Sequence, residues 1–417
     1  MLAALLGLAS GGAAAQEAAA SSGPLTGEAP TGILLLGHLV LRPSVTLGAG
    51  YDSNIFYRDT GTRQSATLQL VPQVSLEPRG SRAITPRLAA SLAYTEYLTD
   101  DDAVREQRSL SANVGANLTV VASEHLSLSA DDRYARLVMP PYQPGQRQFT
   151  SNTNAVGVHA GIQPAGPRLK LDLSYQFTQA WYDAAASQSL ASHHAHAISA
   201  GTTWLVLPRT SVGLTSGLGV VRHDGADKSG SYPVHVQATA FTAVTERLQI
   251  GARAGFGKGF YEKTRGPDDE ATLFVLGFDL KYQTAAALFG LLYSRDFEDS
   301  LWANYYASDR VGVQARRAIS LRNAVSANLS YDRRRFAPPP PELPGQTYQS
   351  NERTDHVISL QLSADHSFSS RTTGSLGYSL SANRSNFSVV LDAAGMRTVN
   401  DVSYLKHGVQ ASLRVAL

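Results

Sequence analysis

The residues that could do chemistry are few. His193, His194 and His196 put two imidazoles two positions apart on one strand face, a spacing able to hold a metal ion, but no carboxylate lies near them in sequence. Gly251, Gly255, Gly257 and Gly259 lack the following helix that a phosphate loop needs. In a strand they permit bending or the close packing of a neighbouring side chain. Asp101-Asp102 and Asp268-Asp269-Glu270 could take calcium or the counter-ions of lipopolysaccharide, and read more simply as solvated loop charge. Serine, histidine and aspartate all occur, without the spacing of a hydrolase. Nothing asks for a cofactor, and the chain is read as a non-enzyme.

The other charges form a wall instead of a cluster. Arg42, Arg87, Arg133, Lys170, Arg253, Lys281, Arg310, Arg316, Arg334 and Arg414 fall on the polar phase of alternating segments, opposed by Glu77, Asp131, Asp172, Asp279, Asp332 and Asp365. Of these, Arg87, Lys170, Asp172, Arg253, Asp279, Lys281, Arg316, Asp332 and Arg414 are the candidate lining of a pore. A modest basic excess among Ser, Thr, Asn, Gln and Gly would favour an anionic or highly hydroxylated solute. Charges that pair across strands would merely stiffen the wall.

The elements that position these residues repeat almost end to end. In Leu169-Lys170-Leu171-Asp172-Leu173-Ser174-Tyr175-Gln176-Phe177-Thr178, apolar and polar residues alternate strictly, so one strand face is greasy and the other wet. Leu110 to Val120 and Leu376 to Ser381 repeat the pattern. Strands are expected near 37–51, 64–77, 82–98, 106–121, 125–138, 151–163, 168–183, 191–206, 210–223, 231–244, 247–262, 270–283, 286–297, 302–316, 319–336, 354–367, 371–388 and 401–417. Residues 286–297 are apolar on both phases. About eighteen such strands with no helix between them describe a closed antiparallel transmembrane β-barrel.

The connections alternate too. Pro78-Arg79-Gly80-Ser81, Pro164-Ala165-Gly166-Pro167, Pro208-Arg209 and Ser369-Ser370 are tight turns. Between such turns fall long links, the longest at 337–353 with its Pro338 to Pro341 run, a stiff spacer or lid. Short periplasmic turns and longer extracellular loops are the habit of outer-membrane barrels, and an even strand number leaves both termini in the periplasm. Aromatic residues gather near the long links, among them Tyr94, Tyr97, Tyr134, Trp181, Tyr182, Tyr261, Tyr331, Phe336 and Tyr404, and Trp204, Phe241, Tyr282 and Phe368 lie near short turns. They are expected to form upper and lower interfacial girdles. The last strand, with Val409, Ala411, Leu413, Val415 and Leu417 on one face, must pair with the first to remove both edges. Ending on an apolar residue, it also resembles the signal read by the barrel assembly machinery, although Leu417 stands where Phe is commoner.

Composition fits. The chain has 417 residues, 43% of them hydrophobic, with a mean hydropathy of -0.15. No run approaches the roughly 20 apolar residues of a spanning helix. Cysteine is absent, as suits an oxidising periplasm, and a net charge of +2 shows no nucleic-acid footprint. Residues 1–15 read as an export signal, with Leu2 to Leu8 as its apolar run and Ala13-Ala14-Ala15 as its cleavage site. No basic residue precedes Arg42, so the true start is expected upstream of Met1. Residues 16–36 are then a flexible periplasmic lead-in, and 37–417 the barrel.

One segment carries a resemblance. Gly50-Tyr51-Asp52-Ser53-Asn54-Ile55-Phe56, after Leu41-Arg42-Pro43-Ser44-Val45, resembles the opening of a family of outer-membrane β-barrel porins associated with exopolysaccharide gene clusters. Gly50, Tyr51, Asp52 and Asn54 carry the match, and from chemistry alone Asp52 and Asn54 read as a turn pair whose side chains cap backbone groups. The resemblance implies a barrel passing a secreted polysaccharide to the cell surface, with a periplasmic polysaccharide export protein as a partner beside the bilayer and lipopolysaccharide. A general diffusion porin for small polar or anionic solutes is the alternative, and a plugged structural or adhesive surface barrel is the third.

Overall fold

The computed structural model describes residues 32–35, 38–80, 83–139, 149–183, 191–224, 230–262, 271–300, 303–338, 346–350, 352–393 and 396–417. The expected leader and most of the lead-in, like most of the proline run, lie outside the described residues. Alternating sequence becomes eighteen long strands: β1 Leu39–Asp52, β2 Ser65–Pro78, β3 Ile84–Leu98, β4 Ser109–Ser123, β5 Leu126–Met139 and β6 Phe149–Ile162. The wall continues through β7 Leu169–Tyr182, β8 His193–Leu207, β9 Thr210–His223, β10 Ser231–Ala243, β11 Leu248–Tyr261 and β12 Ala271–Gln283. It ends with β13 Ala287–Asp299, β14 Tyr305–Ala318, β15 Asn323–Phe336, β16 Thr354–Ser367, β17 Thr372–Ser385 and β18 Tyr404–Ala416.

Each strand pairs antiparallel with the next, and β18 returns to β1 in register from Ser44↔Ala416 to Asp52↔Gly408. Closure joins the last strand to the first, so the wall has no free edge strand. Directly opposed residues in neighbouring strands share a face, so one assignment of inside and outside runs round the whole barrel. The apolar phase is outside: Leu173 is 55% exposed and Phe256 65%, with Ile198, Leu214 and Leu376 similarly bare. An apolar exterior on a closed barrel is stable in lipid and not in water, so this is an integral barrel of the outer-membrane type.

Strand ends depart from expectation where turns compete. The expected start of β15 at 319 moves to Asn323 because the Ser320 hydroxyl accepts from the Arg322 and Asn323 amides, turning the chain first. In β13, Phe289, Leu291 and Tyr293 share the outer face by their pairing with Tyr282, Leu280 and Phe278. Leu288 and Leu292 are the inner set, which is why both phases look greasy. Bulges interrupt pairing between Val121 and Ser123 and between Leu205 and Leu207 at the short-turn end.

The long-loop end holds structure that alternation could not announce. The link at 99–108 contains one helical turn, α1 Asp102–Arg105. Part of the expected link at 389–400 is a hairpin, Ser388–Ala393 with Met396–Asp401, joined by Gln346–Tyr348 into a second small sheet. Several expected girdle aromatics also point elsewhere. Tyr97, Tyr182, Tyr261, Phe336 and Tyr404 share the inner phase, as does Phe241 at the other end. Tyr94, Phe260 and Tyr331 remain outside, with Trp204 and Tyr282 below.

Candidate functional site: the upper lumen

At the end of β1 the chain turns into the barrel instead of away from it. The Asp52 carboxylate accepts from the Asn54 amide at 3.0 Å, closing a tight turn, and its other oxygen meets Lys406 Nζ at 2.8 Å. Asn54 is fully buried, so its side chain needs partners. Its Nδ2 donates to the carbonyls of Arg58 at 2.7 Å and Leu405 at 2.9 Å, while its Oδ1 accepts from the Arg58 amide. Ser53 extends the β1–β18 ladder: its amide donates to the His407 carbonyl, and its hydroxyl accepts from the His407 amide at 2.7 Å.

The turn delivers Ile55 and Phe56 into a small apolar core with Tyr97 of β3 and Val104 of α1. Asp101 caps α1 by accepting from Ala103 and pairs with Arg63. Tyr57 follows with a φ of 53°, a left-handed backbone that costs an ordinary side chain on the order of 1 kcal/mol or more. What holds it is its ring, which meets Tyr404 edge-on at 4.9 Å and receives Lys406 Nζ at 4.0 Å from its centre. The loop after β1 is therefore seated against inner-phase residues of β3 and β18.

A second network occupies the wall at β13–β15. Asp332, 4% exposed, accepts from Ser308 Oγ at 2.6 Å, Arg310 Nη2 at 3.0 Å and Arg334 Nε at 2.8 Å. Arg310 also faces Glu298 at 3.8 Å, and the Tyr306 hydroxyl donates to Glu298 at 2.5 Å. Arg334 lies over the Tyr306 ring at 5.4 Å. Arg353 is sandwiched by the rings of Phe336 and Phe387 and pairs with Asp355 at 2.6 Å, tying the small outer sheet to the mouth. Buried charges survive here because each has an opposite partner and hydrogen bonds.

The nine candidate lining residues all share the inner phase, but they are not one site. Asp332 belongs to the upper network. Lys170 and Asp172 pair with each other at 2.6 Å. Arg253 reaches Asp296 at 3.9 Å across Gly277, whose missing side chain leaves the space its guanidinium stem fills; Asp279 occupies the space over Gly251 in the same way. Arg87, Lys281 and Arg414 lie towards the short-turn end and have no acidic partner among the described residues. Arg316, also at that end, faces Leu288 and Ser326 across its two ladders. The histidines separate: His194 and His196 face outward, His196 beside the Tyr175 hydroxyl at 2.9 Å, whereas His193 lies inside at 5.2 Å from His223. Among the described residues no group of three His, Asp or Glu could hold a metal.

Sequence reasoning missed Lys406, Tyr57, Tyr404, Glu298 and Tyr306 as members of the site. The available signal for Lys406, Glu298 and Tyr306 is their inner-phase position at the long-loop ends of their strands; Tyr404 reads as a girdle residue, and Tyr57 lies in the loop after β1, where alternation gives no signal.

No protein-family model matches the chain, and no curated protein does. Solved structures are similar to it in part. A BenF-like porin from Pseudomonas fluorescens Pf-5 aligns at 9% identity and a TM-score of 0.47, covering 90% of this chain and 99% of the other. Pseudomonas aeruginosa OccK2 (OpdF), in complex with glucuronate, aligns at 11% identity and 0.45, covering 90% and 98%. The siderophore receptor PirA of Pseudomonas aeruginosa aligns at 10% identity and 0.43, covering 94% and 81%.

Proposed function

We propose that this barrel is a passive channel for small polar solutes, anionic ones in preference, and that it performs no covalent chemistry. The observation that carries the reading is the inward seating of the first loop by Asp52, Asn54 and Lys406. A loop held against the inner wall narrows the mouth, which suits a small solute better than a polymer chain. Beyond it, Arg87, Lys281 and Arg414, on the inner phase and without acidic partners among the described residues, bring positive charge to the lumen, and rings of basic residues set anion preference in pores.

The test is the current carried by the purified barrel in planar bilayers. Wild type is expected to pass chloride in preference to potassium, and R87E/K281E/R414E is expected to reverse that order. Unchanged selectivity in a variant that still migrates faster unheated than boiled would remove the basic lining as selector.

Export of a secreted polysaccharide is the second reading, and the resemblance of Gly50 to Phe56 favours it. Deleting the gene separates the two: a lost surface polymer with intact synthesis supports export, and normal surface polymer with reduced uptake of small anions supports the channel.

A further inference from the structure

On the outer face near the long-loop end, five residues stand directly opposite one another on five successive strands: Arg295 of β13, Asp309 of β14, Arg333 of β15, His356 of β16 and Arg384 of β17. At about 4.8 Å per strand the row is roughly 19 Å long. Two residues further into the barrel the same strands carry Tyr293, Val311, Tyr331 and Ile358 outward, so the row marks the upper boundary of the lipid-facing band. Its one aspartate is already engaged, by Arg295 at 3.7 Å and by Arg335 at 3.2 Å from above. Arg333 and Arg384 are exposed and have no acidic partner among the described residues. The Tyr331 hydroxyl, at 2.7 Å from His356 Nδ1, fixes the ring between them.

Two basic side chains elsewhere on this rim are matched. Arg136 pairs with Asp183 at 3.2 Å, and Arg222 pairs with Glu262. A surplus of arginine on a lipid-facing surface, at headgroup depth, is unfavourable against an uncharged bilayer and favourable against anionic headgroups. The guanidinium fork also matches a phosphate's oxygens two at a time.

We propose that this row is a binding site for the phosphorylated sugar headgroup of an outer-leaflet lipid, of the lipid A type, with Arg333 and Arg384 taking phosphate and Tyr331, Ile358 and Val311 lying along the acyl chains. The site is independent of what passes through the lumen.

The test is thermal unfolding of the purified barrel in non-ionic detergent, titrated separately with bisphosphorylated lipid A, monophosphoryl lipid A and inorganic phosphate. Bisphosphorylated lipid A is expected to raise the midpoint most, the monophosphoryl form less, and phosphate not at all. R333Q/R384Q is expected to weaken the apparent lipid affinity about ten- to thirty-fold, as two lost surface arginines imply. R136Q should titrate like wild type. If the double variant loses heat-modifiable migration, R384Q alone, at an exposed position, is read for the same direction of change. A double variant or, failing that, a single variant that binds lipid A as tightly as wild type overturns the site. Inorganic phosphate matching lipid A would show a free-anion site and overturn the lipid.

Discussion

The upper and lower lumen are built from the same residue types and balance them differently. Above, Asp332 is enclosed by Ser308, Arg310 and Arg334, and Lys406 by Asp52 and Tyr57, so each of these charges is met within hydrogen-bond or near-contact distance. Below, Lys170 pairs with Asp172 and Arg42 with Glu77, but Arg87, Lys281 and Arg414 stand without acidic partners among the described residues. Cancelled charge holds shape but projects little field; uncancelled charge in a channel acts on whatever solute enters. On the proposed channel reading, shape selection would belong to the mouth and charge selection to the short-turn half.

This division can be broken most forcefully at Asp332. Alanine there leaves Arg334 without its paired carboxylate and Arg310 with Glu298 alone, at 3.8 Å, a loss expected to cost about 3 to 5 kcal/mol. Urea unfolding in lipid vesicles would measure it, with Arg87→Ala expected to stay within about 0.5 kcal/mol. Similar losses for both would mean the upper charges are no more structural than the lower. The comparison also presumes one inside and one outside. An arginine at Leu171, which faces lipid, should cost roughly 2 to 4 kcal/mol, whereas one at Ser174 stays hydrated. Equal folding yields would invert the assignment.

A milder change sharpens the role of the mouth. Asn54→Ala removes two donors from buried carbonyls and an acceptor from Arg58, a loss of about 1 to 3 kcal/mol that should free the loop. Single-channel current is then expected to rise and grow noisier while ion preference holds. Smallest of all should be Arg253→Gln. Its partner Asp296 is 3.9 Å away, so stability should fall by under about 1 kcal/mol. The anion preference should barely move, in contrast to the reversal expected of R87E/K281E/R414E.

The wall was legible because its physics is local. A residue such as Lys170 shows its face through Leu169 and Leu171 alone, and that parity carried all nine lining candidates to the inner phase. The mouth was not legible, because its partners are remote in sequence. Asp52 and Asn54 read correctly as a turn pair, but nothing near them shows that Asn54 would be buried against Leu405. Tyr97 and Tyr404 looked like girdle residues because an interfacial ring and a lumen-plugging ring have the same composition near a strand end. Arg253 looked free for the same reason: Asp296 approaches it from another strand.

Barrel closure and loop seating share the same atoms. Ser53 and Asn54 bind His407 and Leu405, residues of β18, which is synthesised long after β1, at separations of 354 and 351 positions. The obstruction at the mouth therefore cannot form until the seam has zipped. A chain arrested before β18 docks would lack these seam anchors, and its first loop would be held only by the packing of Ile55 and Phe56 on Tyr97 and Val104. On the proposed channel reading, exclusion of large solutes would be acquired in the final step of maturation, and leakage would report an unfinished molecule.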